Sequence, residues 1–342
     1  MNAFAFSTRP RHLSMALALC ALAAVAAAPA ARAALAPSAQ AQKSRITTAS
    51  GVRLRGAPSG TAAEVARLRL GSLLRELGRS DAKARVGESE DYWYRVATPE
   101  GVEGWVFGAL TEAFDPARAE EIYLRLAEAR VNYAAATFAD LADTVRFLDR
   151  ALKEVKTRET VAELELARLL TLSRSFASFD IEGLTKQPFK GWVQEHDKEI
   201  VYSEPAGQYY VRSELLWGLQ KKYSGLPVAE RVAWAAAQNP LPGECEGYLP
   251  CMLHLTLETS GKYLALYPQG PHADDAAGEV ADLLSSVAAD AREKNPVYTV
   301  PPEDRADFRR QLTRLRTLLA PVRGVRATEA RKHLDAVARR WR

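Results

Sequence analysis

The residue types that most often do chemistry in enzymes are present in this chain, but few have the spacing that catalysis requires. Past residue 33 the histidines are His196, His254, His272 and His333, and none of them forms an HExxH pair. The sequence also contains no G-x-S-x-G elbow, no Walker loop and no dinucleotide-binding glycine fingerprint. The known motifs of zinc peptidases, serine hydrolases, NTPases and dinucleotide-dependent enzymes are therefore missing.

The densest group of titratable side chains lies in GWVQEHDKEIVYSEP, residues 191–205, close to Trp192 and His196. Two carboxylates at a suitable separation are enough to cleave a glycoside. The same spacing is common on solvated helix faces, so a catalytic pair and a solvated surface are the two alternatives for these residues: Glu195, Asp197, Glu199 and Glu204.

Two cysteines, Cys245 and Cys251, lie in the loop-like stretch NPLPGECEGYLPC, which is crowded with Pro and Gly. Two thiolates without a pair of His or a further Cys nearby are too few for structural zinc. We therefore predict a short disulfide between them. Papain-like peptidases need a reactive Cys with a His partner, so a disulfide here argues against that chemistry. No metal or other cofactor is expected.

The N-terminus has the features of a targeting signal. A short basic stretch around Arg9 and Arg11 precedes an uncharged run, LSMALALCALAAVAAAPA, and residues 31–33 fit a signal-peptidase site. The run is too short and too rich in Ala to favour a permanent membrane span. We predict a signal peptide at 1–33, a linker at 34–43, and export to the periplasm or the outside of the cell, where disulfides form.

Charge is distributed unevenly along the chain. Removal of residues 1–33 removes three Arg and no acid, which leaves 43 of the 46 basic residues against 42 acidic ones. Residues 305–342, however, hold twelve Lys or Arg and three Asp or Glu. This basic end either meets an anionic surface or polymer, docks on the acidic remainder of the chain, or forms a solvated helix face. DNA is a poor candidate partner for an exported protein.

Residues 44–114 have the pattern of short β-strands. In GVRLRGAPS, residues 51–59, Val52 and Leu54 alternate with arginines before Gly, Pro and Ser end the run. The stretches YWYRV and VEGWVF are rich in β-forming residues and are separated by the turn-like TPEG. Strands of four to six residues with turn chemistry between them predict a small all-β barrel.

The series V-R-L-R-x-x-P-S, L-x-x-G, W-Y-R-V and G-W-V over residues 44–114 resembles the bacterial SH3 domain. In such a barrel Gly104 would let Trp105 pack closely where the last strands cross, with Trp105 in the core. The resemblance implies that the domain binds cell-wall peptides or glycans, or that it acts as a spacer or an intramolecular regulator.

Three consecutive aromatic residues, Tyr92, Trp93 and Tyr94, are the candidates for ligand binding. Successive side chains of a strand point to opposite faces, so Tyr92 and Tyr94 should share one face and Trp93 should lie on the other. Aromatic residues on a small barrel can form a shallow peptide groove. Ordinary packing is the equal alternative for the two tyrosines, and a core position is the alternative for Trp93.

The pattern changes to helical at residue 115. Asp115-Pro116 is typical of a helix start, and Thr137 with Asp140 has the spacing of a capping box. Later helices are predicted at about 184–200 and 205–222, among others, up to residue 341. The stretch 262–284 resembles the helix–turn–helix junction of tetratricopeptide-like repeats, with Tyr263 and Tyr267 behind the turn and Ala273, Ala276 and Ala277 at the helix contact. No clean repeat period follows, so residues 115–342 are predicted to form an all-helical bundle or irregular solenoid.

These observations favour an exported, non-enzymatic cell-envelope protein that binds or scaffolds. The barrel would hold a peptide or wall component, and the helical domain would hold a protein partner. An envelope hydrolase with an unrecognised helical catalytic domain is the alternative. In a third hypothesis the barrel binds only its own helical domain, and Tyr92 and Tyr94 are then expected to lie buried at the contact.

Overall fold

The computed structural model describes residues 43–179, 182–291 and 293–341. The predicted signal peptide and nearly all of the predicted linker lie outside the described residues. Residues 44–114, here called the β region, contain nine strands. Their bounds are β1 Ser44–Thr47, β2 Val52–Arg55, β3 Glu64–Leu68, β4 Leu73–Arg79, β5 Ala84–Val86, β6 Ser89–Asp91, β7 Trp93–Ala97, β8 Glu103–Phe107 and β9 Thr111–Phe114.

Seven of these strands form one antiparallel sheet in the order β3-β2-β8-β7-β4-β1-β9, while β5 and β6 form a separate hairpin. The alternation predicted for β2 is confirmed: Val52 and Leu54 are buried and Arg53 is exposed. Burial on alternate positions gives the sheet one apolar face. The core on that face consists of Val52, Leu54, Leu68, Leu74, Val96 and Val106.

Gly104 allows β8 to cross β2 at close range. A Cβ at this position would lie 2.7 Å from Cγ of Leu54 and 2.8 Å from the carbonyl oxygen of Arg55, closer than real Cβ atoms approach. Trp105 is only half-buried, so its expected place in the core is wrong. It alternates along β8 with buried Gly104 and Val106, and its side chain therefore points away from the core.

Residues 115–341, here called the helical region, contain eleven α-helices among the described residues. They are α1 Ala119–Val131, α2 Phe138–Glu154, α3 Arg158–Phe176, α4 Phe189–Glu195, α5 Ser213–Lys222, α6 Val228–Gln238, α7 Leu249–Glu258, α8 Ser260–Leu266, α9 Ala273–Asp290, α10 Arg305–Leu319 and α11 Val325–Arg340. A β-sheet region followed by a helical region matches the predicted fold class. None of the described helices is both long enough and apolar enough to cross a membrane.

The helix starts follow their predicted signals closely. Thr137 and Asp140 form the capping box of α2, in which each side chain accepts a hydrogen bond from the other residue's backbone N–H. The Asp115 side chain accepts from the N–H of Ala117 at 2.9 Å. Pro116, however, opens a single 3₁₀ turn, and the α-helix proper begins at Ala119.

A β-hairpin interrupts the helices where the sequence patterns predicted helix over 184–200 and again from 205. Strand β10, Ile200–Ser203, pairs with β11, Gln208–Val211, in an antiparallel ladder. Both strands are rich in β-branched and aromatic residues, and Gly207 in the turn between them has φ +63°. Local β preference and a glycine in the left-handed region together favour a hairpin over a continuous helix.

The predicted disulfide between Cys245 and Cys251 is present, with the two Cα atoms 5.6 Å apart. It closes the loop that leads into α7. Thr299 pairs with this loop: its N–H donates to the carbonyl of Gly247 and its own carbonyl accepts from Leu249. The disulfide loop is thus tied to the segment that precedes α10.

The junction at 262–284 is a helix–turn–helix, formed by α8 and α9. Tyr263 is fully buried behind the turn, and Ala273, Ala276 and Ala277 are buried on α9. Small residues at these positions allow neighbouring helices to approach closely. The likeness of this junction to tetratricopeptide repeats is not confirmed.

The β region packs directly on the first three helices, and the described residues from 43 onward form one compact unit. Ile46 and Leu70 of the β region share a hydrophobic cluster with residues of α1, α2 and α3. The N–H of Leu70 donates to the buried carboxylate of Asp143 at 2.7 Å, and Arg150 donates to the carbonyl of Leu70 at 2.7 Å. Leu70 is therefore held by both of its backbone polar groups and by its side chain. The predicted domain boundary at 114/115 falls inside a shared core.

Candidate ligand-binding cleft

The β region contains a cleft of about 190 Å³. It lies between the turn that follows β1, strand β2, the β2–β3 loop, the β5–β6 hairpin and strands β7 and β8. Its lining residues come from the β region: Ala49, Ser50, Gly51, Val52, Arg53, Arg55, Gly60, Val86, Trp93, Phe107 and Leu110.

Trp93 is held in place by the neighbouring strand. It is paired in register with Phe107 of β8, and the two ring centroids lie 5.4 Å apart. On the opposite side, a Cβ at Gly60 would lie 3.9 Å from Val86, so the β2–β3 loop reaches the β5–β6 hairpin. Aromatic and aliphatic side chains from separate elements thus make the walls of the cleft largely apolar.

Two polar atoms at this cleft have no hydrogen-bond partner within the described residues. Trp93 is 3% exposed, yet its Nε1–H donates to no acceptor, and the Oγ of Ser50 is likewise buried and unpaired. A buried donor without an acceptor costs about 1–3 kcal/mol. Most buried polar groups in native proteins are paired, so two unpaired groups on residues that line one cleft suggest that a ligand or water completes them.

The rim of the cleft carries positive charge. Arg55 donates one hydrogen bond to the carbonyl of Ala62, and its other N–H groups have no partner among the described residues, so they are able to bond a ligand. Arg53 is exposed, and its Nε lies 3.3 Å from the Oε2 of Glu64. Glu64 also accepts hydrogen bonds from Arg67, and these bonds lower the pKa of the Glu64 carboxyl.

Tyr92 and Tyr94 do not line the cleft. The guanidinium of Arg79 lies 3.9 Å from the ring centre of Tyr92, and that of Arg45 lies 3.5 Å from the ring centre of Tyr94. Both rings are half-buried, and Tyr94 also packs against the core of the β region. The β region does dock on its own helices, as the third hypothesis required, but through Ile46 and Leu70 and not through these tyrosines.

The carboxylate group at 195–204 does not converge on one point. Glu195 pairs with Arg146, and Asp197 and Glu204 are exposed. Glu199 instead accepts hydrogen bonds from Arg168, at 2.5 and 3.1 Å, and from Nδ1 of His196, at 2.8 Å.

The Glu199 carboxylate belongs to an ion network that ties α3 to the turn before β10. Burial raises the pKa of Glu199, but the hydrogen bonds from His196 and Arg168 outweigh it and bring the pKa to about 2. Arg168 also bonds Asp149 of α2 at 2.5 Å. A carboxylate that stays ionised at neutral pH suits a structural ion pair, whereas a general acid needs a raised pKa.

The helical region carries a groove of about 470 Å³ between α1 and α3. Its floor is apolar, and an ion pair between Glu163 and Arg231, at 2.9 Å, lies along one side. Grooves of this kind between helices are typical of peptide-binding surfaces.

A family model described as the bacterial SH3 domain matches residues 50–112. Residues 50–112 are a bacterial SH3 domain. All the residues that line the cleft except Ala49 fall within this SH3 domain, so the cleft belongs to the part of the chain that the family covers. Comparisons with curated proteins and with solved structures give no match.

The sequence resemblance identified the SH3 domain but missed part of its cleft. Trp93 was a candidate from sequence and does line the cleft, whereas Ser50 and Phe107 were not considered. The signal that was available is the small-residue turn Ala49-Ser50-Gly51 directly before β2. Small residues in a turn leave room beside a neighbouring aromatic ring.

Proposed function

We propose that the protein is an exported, non-enzymatic cell-envelope protein, whose SH3 domain binds a peptide or another wall component. The observation that carries the proposal is the SH3 cleft with its unpaired Trp93 Nε1–H and Ser50 hydroxyl. Bacterial SH3 domains commonly bind the cell wall, and an apolar cleft with a few convergent polar groups is the usual form of a ligand site. The disulfide fits an oxidising, exported location.

The helical region is proposed to hold a protein partner. The groove between α1 and α3 has an apolar floor beside the charged pair Glu163 and Arg231, and suits an amphipathic segment of another protein. A wall-binding domain joined to a partner-binding region would make the protein a scaffold.

Binding to isolated peptidoglycan sacculi tests the proposal. We expect the mature protein, residues 34–342, to be retained on sacculi. Trp93→Phe keeps an aromatic ring but removes the N–H donor, so it should weaken retention by about 5–30-fold, the equivalent of about 1–2 kcal/mol. The matched control is Trp105→Phe, which changes a half-buried tryptophan away from the cleft. A Tyr92→Ala/Tyr94→Ala variant shows whether the tyrosine face contributes.

The same experiment separates the alternative function. Muropeptides released into the supernatant would support the hydrolase and contradict a purely binding role. Failure of the wild-type protein to bind sacculi would overturn the proposed wall-binding function of the SH3 domain.

The basic C-terminal part is proposed to contact an anionic surface. Some of its arginines are paired internally, as Arg316 is with Asp335 at 2.6 Å. The outer face of α10 differs, because Arg309 and Arg314 are exposed and have no ion-pair partner among the described residues. Arg309 and Arg310 border a shallow depression over the small residues Ala306 and Thr313, and Arg310 also pairs with Asp307 at 2.8 Å. Guanidinium groups beside an open, small-residue floor suit phosphate or carboxylate groups.

An Arg309→Gln/Arg314→Gln variant should bind anionic lipid vesicles about 10–30-fold more weakly than the wild type at low salt. Each basic residue near an anionic surface contributes about 1 kcal/mol, and salt screens that attraction. Vesicle co-sedimentation at low and high salt measures both effects, and Arg316→Gln is the control because Arg316 is paired. Equal binding to neutral vesicles, or binding that salt does not change, would contradict the electrostatic role of α10.

A further inference from the structure

We propose that the SH3 cleft takes the free carboxylate end of a peptide that ends in a small apolar residue. This inference rests on the proposed function, because it names the group that the same cleft would bind. It follows from the size of the cleft, from its unpaired donors, and from the arrangement of apolar and cationic residues around it.

The size of the cleft favours the end of a ligand over its middle. A volume of about 190 Å³ is smaller than the roughly 300–1,000 Å³ of pockets that enclose a whole drug-sized ligand. At ~30 Å³ per water molecule it corresponds to about six waters. That space accommodates a terminal group and one small side chain.

The unpaired polar atoms call for an acceptor. The Trp93 indole N–H is only a donor, and the Ser50 hydroxyl is able to donate. An ionised carboxylate accepts hydrogen bonds through both of its oxygens. An amide end has one carbonyl oxygen that accepts, and its NH₂ group adds donors for which the Trp93 indole offers no acceptor. The two donors at this cleft therefore match a carboxylate better than an amide.

The charge at the rim has the sign that a carboxylate needs. Arg55 lines the cleft and has donors in addition to the one that bonds Ala62. Glu64 lies beside Arg53 and partly offsets its charge, so Arg55 is the stronger cationic partner for a ligand in the cleft. Charge-assisted hydrogen bonds from Arg to carboxylate are about twice as strong as neutral ones.

The remaining walls select the residue that carries the carboxylate. Phe107, Val86 and Leu110 line the cleft and present apolar surface. A methyl or similarly small side chain would be buried there, while a charged side chain would lose its solvation without a partner. The ligand is therefore a peptide end with a small apolar side chain, and not a sugar, whose many hydroxyls need polar partners.

Titration calorimetry with matched peptides tests this inference. The probes are N-acetyl-trialanine with a free C-terminal carboxylate and the same peptide with a C-terminal amide, each added to the mature protein, residues 34–342. We expect the carboxylate peptide to bind and the amide to bind at least tenfold more weakly. Ser50→Ala and Trp93→Phe should each weaken binding of the carboxylate peptide at least fivefold. Arg55→Gln should reduce the difference in affinity between the carboxylate peptide and the amide peptide. Trp105→Phe should leave all of these values unchanged.

Two results separate this inference from the function on which it rests. If sacculi retain the protein in a Trp93-dependent way but both peptides bind equally, or neither binds, the carboxylate assignment is wrong and the wall-binding function stands. If neither sacculi nor peptides bind, both fail. Thermal unfolding of every variant must match the wild type within a few degrees. Ser50→Ala removes one buried hydroxyl from the turn before β2 and leaves the Trp93 ring in place, so it provides a test that does not depend on Trp93 packing.

Discussion

Replacing Gly71 with alanine should lower the free energy of unfolding by about 2–5 kcal/mol. Gly71 has φ +71°, in the left-handed region, where a residue with a Cβ loses about 1–2 kcal/mol. The added Cβ would also lie 2.7 Å from Cε2 of Phe147 in α2. Overpacking of this kind costs about 1–3 kcal/mol more. The substitution therefore strains the contact between the SH3 domain and the helices as well as the turn itself.

Urea unfolding of the full mature chain measures this effect, and Gly78→Ala is the matched control. Gly78 also lies in the β region, but its φ is not positive and no atom lies within 4 Å of a Cβ built there. Adding Phe147→Leu to Gly71→Ala should recover the part of the loss that comes from the ring contact but not the backbone strain. Equal stabilities for Gly71→Ala and Gly78→Ala would show that the β region does not dock on α2 as described.

The Glu199 network should make stability depend on acid pH. The pKa of Glu199 is about 2 in the folded protein, against an ordinary value of 4.5. A lowered folded-state pKa gives stability that is fully present above the ordinary value and is lost as the pH falls through the folded value. The contribution of Glu199 should therefore disappear between pH 4.5 and about 2. At ~1.4 kcal/mol per unit of pKa, reduced for partial exposure, that contribution is about 2 kcal/mol.

The difference between wild type and Glu199→Gln isolates this contribution, because other carboxylates titrate in both proteins. At neutral pH the variant should be about 2 kcal/mol less stable, since Arg168 and the buried His196 lose their charged partner. The difference should shrink as the pH falls toward 2. Glu195→Gln, which breaks the exposed pair with Arg146, should cost less than about 1 kcal/mol. A Glu199→Gln deficit that stays constant from pH 7 to pH 2 would contradict a lowered pKa.

Local sequence patterns were sufficient to predict the elements whose stabilising contacts join residues close together in the sequence. The alternation of Val52 and Leu54 in β2 and the capping box of Thr137 and Asp140 depend on residues close in sequence, and both are found as predicted. The disulfide of Cys245 and Cys251 is also local. Short-range hydrogen bonds and periodicity carry this information within about one turn or one strand.

The hairpin β10–β11 was missed because charged residues near Glu195 suggested a solvated helix. Gly207 and the β-rich residues on either side were the competing local signal. The hairpin is also fixed by a distant contact, since the side chain of Asn239 donates to the carbonyl of Val211 at 2.8 Å. Such a partner cannot be identified from the hairpin's own sequence.

The cleft and the docking of the SH3 domain were beyond sequence reasoning for the same physical reason. The lining of the cleft joins Ser50, Val86 and Phe107, which lie on three separate strands or turns. The contact with the helices joins Leu70 to Asp143, seventy-three positions apart. Side chains that are distant in sequence meet only when the sheet order and the helix packing are known.

The shared cluster around Ile46 and Leu70 has a consequence for the order in which the chain matures. During synthesis these residues emerge before the helices α1 to α3 that cover them. The outer apolar surface of the SH3 domain therefore stays exposed until roughly half of the chain has been synthesised. A fragment that ends at residue 114 would leave that surface bare and prone to association. Any independently stable piece that contains the SH3 domain therefore has to include at least α1 to α3. The SH3 domain of this protein is consequently not an interchangeable module that can be moved to another chain without its first three helices.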